Sequence, residues 1–123
     1  MNRPSKKELF NKIRQAERAI AEGRIEIIDA VAIASDAGEL DYDVETELVD
    51  ILQNVLSEVT PDHYKGTRPP QTSYKPQIDG LELFAFVVEP ACFKCSVYIK
   101  FALTQDAFWL VSLHKDRPEK EEK

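Results

Sequence analysis

Apolar and polar residues alternate in two neighbouring runs within residues 96–115, the pattern of strands with one buried and one exposed face. The apolar positions are Val97, Ile99, Phe101 and Leu103 in the first run, and Trp109, Val111 and Leu113 in the second. A polar break at residues 104–106 separates the two runs. We therefore predict a β-hairpin with these apolar side chains in the core. Its outer face should carry Tyr98, Lys100, Ser112 and His114.

Helical spacing governs the first half of the chain. Ser5 and Glu8 have the spacing of a capping box, so a first helix should begin there and end at Gly23. Asp43 should cap a further helix, whose apolar stripe is Val44, Leu48, Ile51, Leu52, Val55, Leu56 and Val59. Residues 25–37 are apolar almost all round and rich in alanine, which favours a short, largely buried helix closed by Gly38.

The composition changes after residue 60. Prolines at positions 61, 69, 70 and 76 exclude regular helix, so residues 61–80 should form a loop, followed by a strand over residues 81–88. The prediction is a single α+β domain over residues 1–123, with three N-terminal helices (1–60) packed on a small antiparallel sheet of at least three strands (81–115). Residues 116–123 should form a solvated tail.

Charge is distributed unevenly along the chain. The net charge is −6, but residues 1–60 hold 7 basic and 13 acidic residues, whereas residues 61–118 hold 7 and 6. An anionic ligand could therefore approach the sheet without meeting the acidic helices. The first residues lack a signal-peptide apolar segment and no run is long enough to cross a membrane, so we expect a cytoplasmic protein with no membrane partner.

Cys92 and Cys95 have the spacing of half a zinc site. A structural zinc ion needs four ligands, and this chain has no second cysteine pair. We expect reduced cysteines and neither a metal nor a cofactor within one chain. A zinc ion shared across a homodimer is the alternative.

The loop and the outer face of the hairpin together supply a metal-free set able to cut RNA. Such cleavage needs a base, an acid and cations around the crowded phosphorane. A histidine, here His114, can act as acid or base near neutral pH, and Tyr98 can supply a proton or a hydrogen bond. Lys65, Arg68 and Lys100 offer positive charge, and Tyr64 or Tyr74 offers a stacking surface for an unpaired base.

Short motifs in the same order resemble the MqsR toxins, RelE-like ribonucleases of bacterial toxin–antitoxin systems, over residues 7–115. The motifs are Ala21-Glu22-Gly23-Arg24, Asp36-Ala37-Gly38-Glu39-Leu40-Asp41-Tyr42-Asp43, Asp62-His63-Tyr64-Lys65, Gln71-Thr72-Ser73-Tyr74-Lys75-Pro76, Val97-Tyr98-Ile99-Lys100 and Val111-Ser112-Leu113-His114. The resemblance implies a RelE-like fold and a metal-independent messenger-RNA endoribonuclease that inhibits translation and growth. It also implies a cognate antitoxin protein and single-stranded mRNA as partners, with a homodimer as a further hypothesis.

Carried over position by position, the resemblance implies a catalytic set of Lys65, Gln71, Tyr98 and His114. RNA contacts are then expected from Tyr64, Arg68, Tyr74, Lys75, Lys100 and Lys115. The family has a lysine where this chain has His114, and its members are usually basic. These departures keep open a second hypothesis, a RelE-like module that binds a protein partner without cleaving RNA.

Overall fold

The computed structural model describes residues 3–116 of the chain. Three helices, four strands and two short 3-10 turns follow one another there. The helices are α1 (Lys6–Ala21), α2 (Ala30–Leu40) and α3 (Val44–Glu58), the 3-10 turns are Pro61–His63 and Pro76–Ile78, and the strands are β1 (Ile25–Ile27), β2 (Phe84–Val88), β3 (Val97–Leu103) and β4 (Phe108–Lys115). The predicted solvated tail lies, apart from Asp116, outside the described residues.

The four strands form one mixed sheet in the order β1-β4-β3-β2. β3 pairs antiparallel with both β2 and β4, as predicted, whereas β1 pairs with β4 in parallel. The α+β class is confirmed, and the expected antiparallel sheet gains a parallel strand at one edge.

All three helices lie on one face of this sheet, which we call the inner face, and the opposite face is the outer face. The main core lies between the helices and the inner face. Phe101 is fully buried at its centre, with its ring centroid 5.0 Å from that of Phe108 and 5.9 Å from that of Phe86. Burial of such aromatic side chains is the largest stabilising contribution in a small domain.

The predicted ends of α1 and α3 are confirmed. The Ser5 hydroxyl accepts a hydrogen bond from the backbone N–H of Glu8, and Gly23 takes a left-handed φ of 76° just after α1. Asp43 caps α3 by accepting from the N–H of Thr46. Each contact satisfies a backbone group that the end of a helix leaves unpaired.

The prediction of one buried helix over residues 25–37 is wrong. Residues 25–27 form β1, and Asp29 then caps α2, accepting from the N–H of Ala32. α2 continues through Gly38 and ends at Leu40, because Asp41 takes the left-handed conformation (φ 62°). It is also less buried than expected, and Val31 is 81% exposed.

A β-bulge in β4 overturns part of the predicted core face. Lys100 is opposite Ser112, but the next residue, Phe101, is opposite Leu110, which leaves Val111 as the extra residue. One extra residue reverses the faces of the strand on its far side. Phe108 and Leu110 therefore enter the main core, and Trp109 and Val111 do not.

A second, smaller apolar cluster covers one end of the outer face. Trp109 and Val111 pack there against residues from the strands and from the loop that precedes β2. The fully or nearly buried members of this cluster are Ile78, Leu83 and Ala102. At the other end of the outer face, where Tyr98 and His114 lie, residues 3–116 form no such cover. Among the described helices, none is both long and apolar enough to cross a membrane.

Candidate functional site

Tyr98 and His114 form a stacked pair on the outer face, where the alternation of side chains in the predicted hairpin placed both of them. They are opposite one another in the β3–β4 register, so their side chains share a face. Their ring centroids are 5.1 Å apart and their planes differ by 17°. Neither residue lies in the core, and both are half-buried.

The His114 ring is held by a second contact. Its Nδ1 lies 2.6 Å from the backbone carbonyl oxygen of Lys115. Because a carbonyl oxygen can only accept, Nδ1 must be the donor in this hydrogen bond. The neutral ring then carries its lone pair on Nε2, which is the atom available to take a proton.

Lys100 and Ser112 extend the pair along the same two strands. Lys100 is opposite Ser112, and its Nζ lies 6.0 Å from the centroid of the Tyr98 ring. We call Tyr98, Lys100, Ser112 and His114 the outer-face cluster. Burial raises the pKa of the Tyr98 hydroxyl, so this hydroxyl remains a hydrogen-bond donor at neutral pH.

A concave pocket of about 430 Å³ adjoins the cluster. One wall is residues 71–75 of the proline-rich loop; the sheet contributes Lys100 and Val111, and Leu83 comes from the residue just before β2. We call it the loop pocket. Lys100 belongs to both the pocket and the outer-face cluster, so the two sites are continuous. Leu83 and Val111 give the pocket an apolar floor.

Backbone hydrogen bonds fix the loop wall against the chain that leads into β2. The carbonyl of Gln71 accepts from the N–H of Leu83 at 2.8 Å, and the N–H of Ser73 donates to the carbonyl of Leu81 at 2.9 Å. The buried Ser73 hydroxyl accepts from the N–H of Lys75. Tyr74 then projects into solvent, with 88% of its surface exposed. An exposed ring beside two lysines is suited to stack on a nucleic-acid base.

Lys65 lies along the free edge of β2. Its N–H donates to the carbonyl of Ala85 at 2.8 Å, and the preceding Tyr64 forms an antiparallel bridge with Phe86. Tyr64 faces the core, so alternation puts Lys65 on the outer side, beside Ala85. Ala85 is in turn opposite Lys100 in the β2–β3 pair. The fold thus places Lys65 on the same face as the outer-face cluster.

Two residues expected to contact RNA lie elsewhere. Tyr64 is only 7% exposed, packs edge-on against Phe86, and donates its hydroxyl proton to the Thr67 carbonyl. Its ring is therefore not available for stacking on a base. The Arg68 guanidinium lies 5.0 Å from the Tyr64 ring centroid and donates to the Pro4 carbonyl at 3.0 Å.

Lys115 lies on the face opposite to His114, because it is paired with the inward-facing Val97. Its side chain is exposed. It cannot join the outer-face cluster without a change in strand register.

Leu83 and Val111 were not expected as parts of a site. Val111 reaches the outer face only because of the bulge, and the local pattern of β4 carries no signal for it. The alternation of apolar and charged residues in Leu81-Glu82-Leu83, next to the proline-rich loop, is the one sequence signal for the pocket floor.

Cys92 is exposed and Cys95 is half-buried, and neither forms a disulfide. Partial desolvation nevertheless raises the pKa of the Cys92 thiol, which disfavours the reactive thiolate. Among residues 3–116, no group of three or more His, Cys, Asp or Glu side chains is placed to hold a metal ion.

Comparison with protein-family models, with curated proteins and with solved structures found no match for this chain.

Proposed function

We propose that this protein is a RelE-like toxin of the MqsR type, which cleaves single-stranded mRNA without a metal ion and is neutralised by an antitoxin protein. The main support is one observation: His114 is stacked on Tyr98 with its Nδ1 bonded to the Lys115 carbonyl, so its Nε2 has no partner among residues 3–116, and Lys100 connects this pair to an open pocket. A base, a hydrogen-bond donor and a cation are thus adjacent on one open surface.

The reaction follows from these roles. Nε2 of His114 takes the proton from a ribose 2′-OH, and the 2′-oxygen attacks the adjacent phosphorus. Lys100 and Lys65 stabilise the negative charge of the phosphorane. The bond to the 5′-oxygen then breaks, and this oxygen takes a proton from the Tyr98 hydroxyl or the Lys100 ammonium. The products are a 2′,3′-cyclic phosphate and a free 5′-hydroxyl.

The loop pocket supplies the binding part of this proposal. Tyr74 can stack on an unpaired base, while Lys75 and Lys100 can contact the flanking phosphates. Base stacking tolerates sequence variation, whereas the side-chain amide of Gln71 can contact the edge of a base. The overall charge of −6 does not oppose RNA at this face, because the acidic residues are concentrated in the helical half.

The test is cleavage of a fluorescent single-stranded RNA by the purified protein in excess chelator. We expect cleavage with a 2′,3′-cyclic phosphate at the new end, and none of an RNA with a 2′-deoxynucleotide at the cut site. The matched growth assay induces the protein with and without its neighbouring gene. Absence of both cleavage and growth arrest would contradict the proposal.

A groove between α1 and α3 favours a second candidate function, protein binding without catalysis. This groove has a volume of about 440 Å³ and is lined by Phe10, Ile13, Leu56 and Val59, among others. Phe10 is 48% exposed there. Partly exposed aromatic residues beside apolar grooves are typical of protein interfaces. A wild-type protein that does not cut RNA but captures the neighbouring gene product would favour this function.

A further inference from the structure

A pocket separate from the outer-face cluster is lined by three arginines. Arg14 and Arg18 come from α1, and Arg24 comes from the residue before β1. The pocket has a volume of about 430 Å³. It lies at the turn of the β3–β4 hairpin, which contributes Gln105. Tyr98 is at the other end of β3, so five residues of strand, about 17 Å, separate it from this turn.

Two of the three guanidinium groups, those of Arg14 and Arg18, are incompletely neutralised. Arg24 pairs with Glu22 at 2.7 Å and also donates to the Gln105 carbonyl at 3.3 Å, which fixes its direction. Arg14 approaches Glu17 only to 3.9 Å, and 62% of its side chain is exposed. Such an exposed pair is weak. An incoming anion could therefore replace Glu17 as the partner of Arg14.

The Arg18 guanidinium has neither a hydrogen bond nor an ion pair with any residue in the described range 3–116, although the Arg18 backbone carbonyl accepts from the N–H of Glu22. Arg18 is one helical turn from Arg14, and like charges at this spacing destabilise a helix. Its position in the last turn of α1 suits the helix dipole, but that does not account for Arg14 in the middle of the helix. An anion bound between the two would remove the repulsion.

The rest of the lining identifies the chemical class of ligand. Asn11, Gln15 and Gln105 offer side-chain amides, and Ala19 is the only apolar residue among those that line the pocket. A nucleobase would find no aromatic ring and little apolar surface here. Guanidinium groups match the geometry of phosphate oxygens in bidentate contacts. The volume exceeds that of one phosphate group.

We propose that this arginine pocket binds a small oligophosphate, such as a diphosphate or triphosphate group. Arg18 and Arg14 hold the terminal phosphate, Arg24 contacts the next one, and the amides bond the remaining oxygens. This site is independent of RNA cleavage at the outer face, because it shares no residue with the outer-face cluster or the loop pocket.

The experiment is a calorimetric and NMR titration of the full chain with inorganic pyrophosphate, with sulfate at equal ionic strength as the reference anion. We expect saturable one-to-one binding of pyrophosphate, with shifts at the Arg14, Arg18 and Arg24 side chains. Arg18→Gln should weaken binding roughly tenfold or more, because a charge-assisted bidentate contact is lost. Lys7→Gln removes an equal charge from an exposed position on α1 outside the pocket, and should change affinity less than twofold.

Three outcomes would overturn the proposal. The first is the absence of saturable pyrophosphate binding, and the second is an equal loss in Lys7→Gln, which would indicate diffuse electrostatics. The third is weaker binding of single-stranded RNA by Arg18→Gln with unchanged pyrophosphate affinity, which would make the pocket part of an RNA path. RNA cleavage by Arg18→Gln, measured in parallel, tests the outer-face proposal separately.

Discussion

Tyr98 and His114 stack directly across two strands, with 5.1 Å between ring centroids. The stack fixes the plane of the imidazole, and the hydrogen bond from Nδ1 to the Lys115 carbonyl fixes its rotation. Nε2 is therefore oriented by the sheet before any substrate binds. Preorganisation of this kind lowers the cost of reaching the reactive geometry.

His114→Ala should abolish measurable cleavage while leaving the fold intact. Loss of a general base typically costs about 10² to 10⁴ in rate, and the half-exposed ring contributes little to the core. Single-turnover cleavage measures the rate, and circular dichroism checks the fold. Lys115→Ala is the control, because Lys115 lies on the opposite face. An inactive Lys115→Ala with an active His114→Ala would show that Lys115, and not His114, carries the role assigned to His114.

Lys65→Ala should also slow cleavage, but through lost stabilisation of the phosphorane. This change removes a positive charge but leaves the general base in place, so the two proteins should have pH–rate profiles of the same shape, with that of Lys65→Ala lower throughout. A pH–rate profile of both proteins measures the difference. Lys7→Ala, which removes an exposed lysine from α1, is the control. A Lys65→Ala rate equal to that of wild type would remove Lys65 from the site.

Deletion of Val111 should be tolerated, because Val111 is the extra residue of the bulge. Without it, Ser112 would follow Leu110 directly and Leu110 would stay opposite Phe101, so Phe108 and Leu110 would keep their places in the main core. Leu110→Ala is the comparison, because it removes a fully buried side chain and should cost about 2–5 kcal/mol. Urea unfolding of the two variants checks this, and a deletion variant that does not fold would contradict the assignment of Val111 as the bulge residue.

Tyr42 should make the protein sensitive to alkali. Burial raises the pKa of Tyr42 to about 12, above the value of about 10 for an unfolded tyrosine. Below pH ~10 both states keep the proton, but above it the unfolded chain loses the proton first. The free energy of unfolding should therefore fall as the pH rises through this window.

Tyr42→Phe should make that alkaline fall less steep without loss of stability at pH 7. Among the described residues, the buried Tyr42 hydroxyl has no hydrogen-bond partner, so removing it discards a desolvated polar group. Tyr74→Phe is the control, because Tyr74 is 88% exposed. Urea midpoints at pH 7 and at pH 9–11 measure both effects. If the free energy of unfolding of Tyr42→Phe fell with pH as steeply as that of the wild type, Tyr42 would be excluded as the cause.

Local signals were enough to predict two helices and the hairpin. α1 and α3 combine an amphipathic stripe with a capping residue, Ser5 or Asp43, and each half of the hairpin has a period of two. Tyr98 and His114 pair on the side of the bulge where side chains still alternate as the sequence pattern indicates. Their shared face could therefore be predicted as well.

The remaining features depend on contacts between distant parts of the chain. β1 has only three residues, too few for a periodic pattern, and it is a strand only because β4 pairs with it. In β4, Phe108 and Leu110 are as apolar as Trp109 and Val111, so the sequence is compatible with either face in the core. Tyr64 lies in a polar stretch of sequence, which predicts an exposed loop residue. Its burial depends on the bridge to Phe86, which the local sequence does not indicate.

The position of β4 between β1 and β3 has a consequence for synthesis on the ribosome. Ile25 leaves the exit tunnel early, yet its strand partner, Phe108, is made more than 80 residues later. Contacts of such long sequence separation form slowly and late. His114 meets Tyr98 only when β4 has paired with β3, so a nascent chain that stops before residue 114 cannot carry the outer-face cluster. Any harmful activity on mRNA would therefore begin only after translation has passed the hairpin.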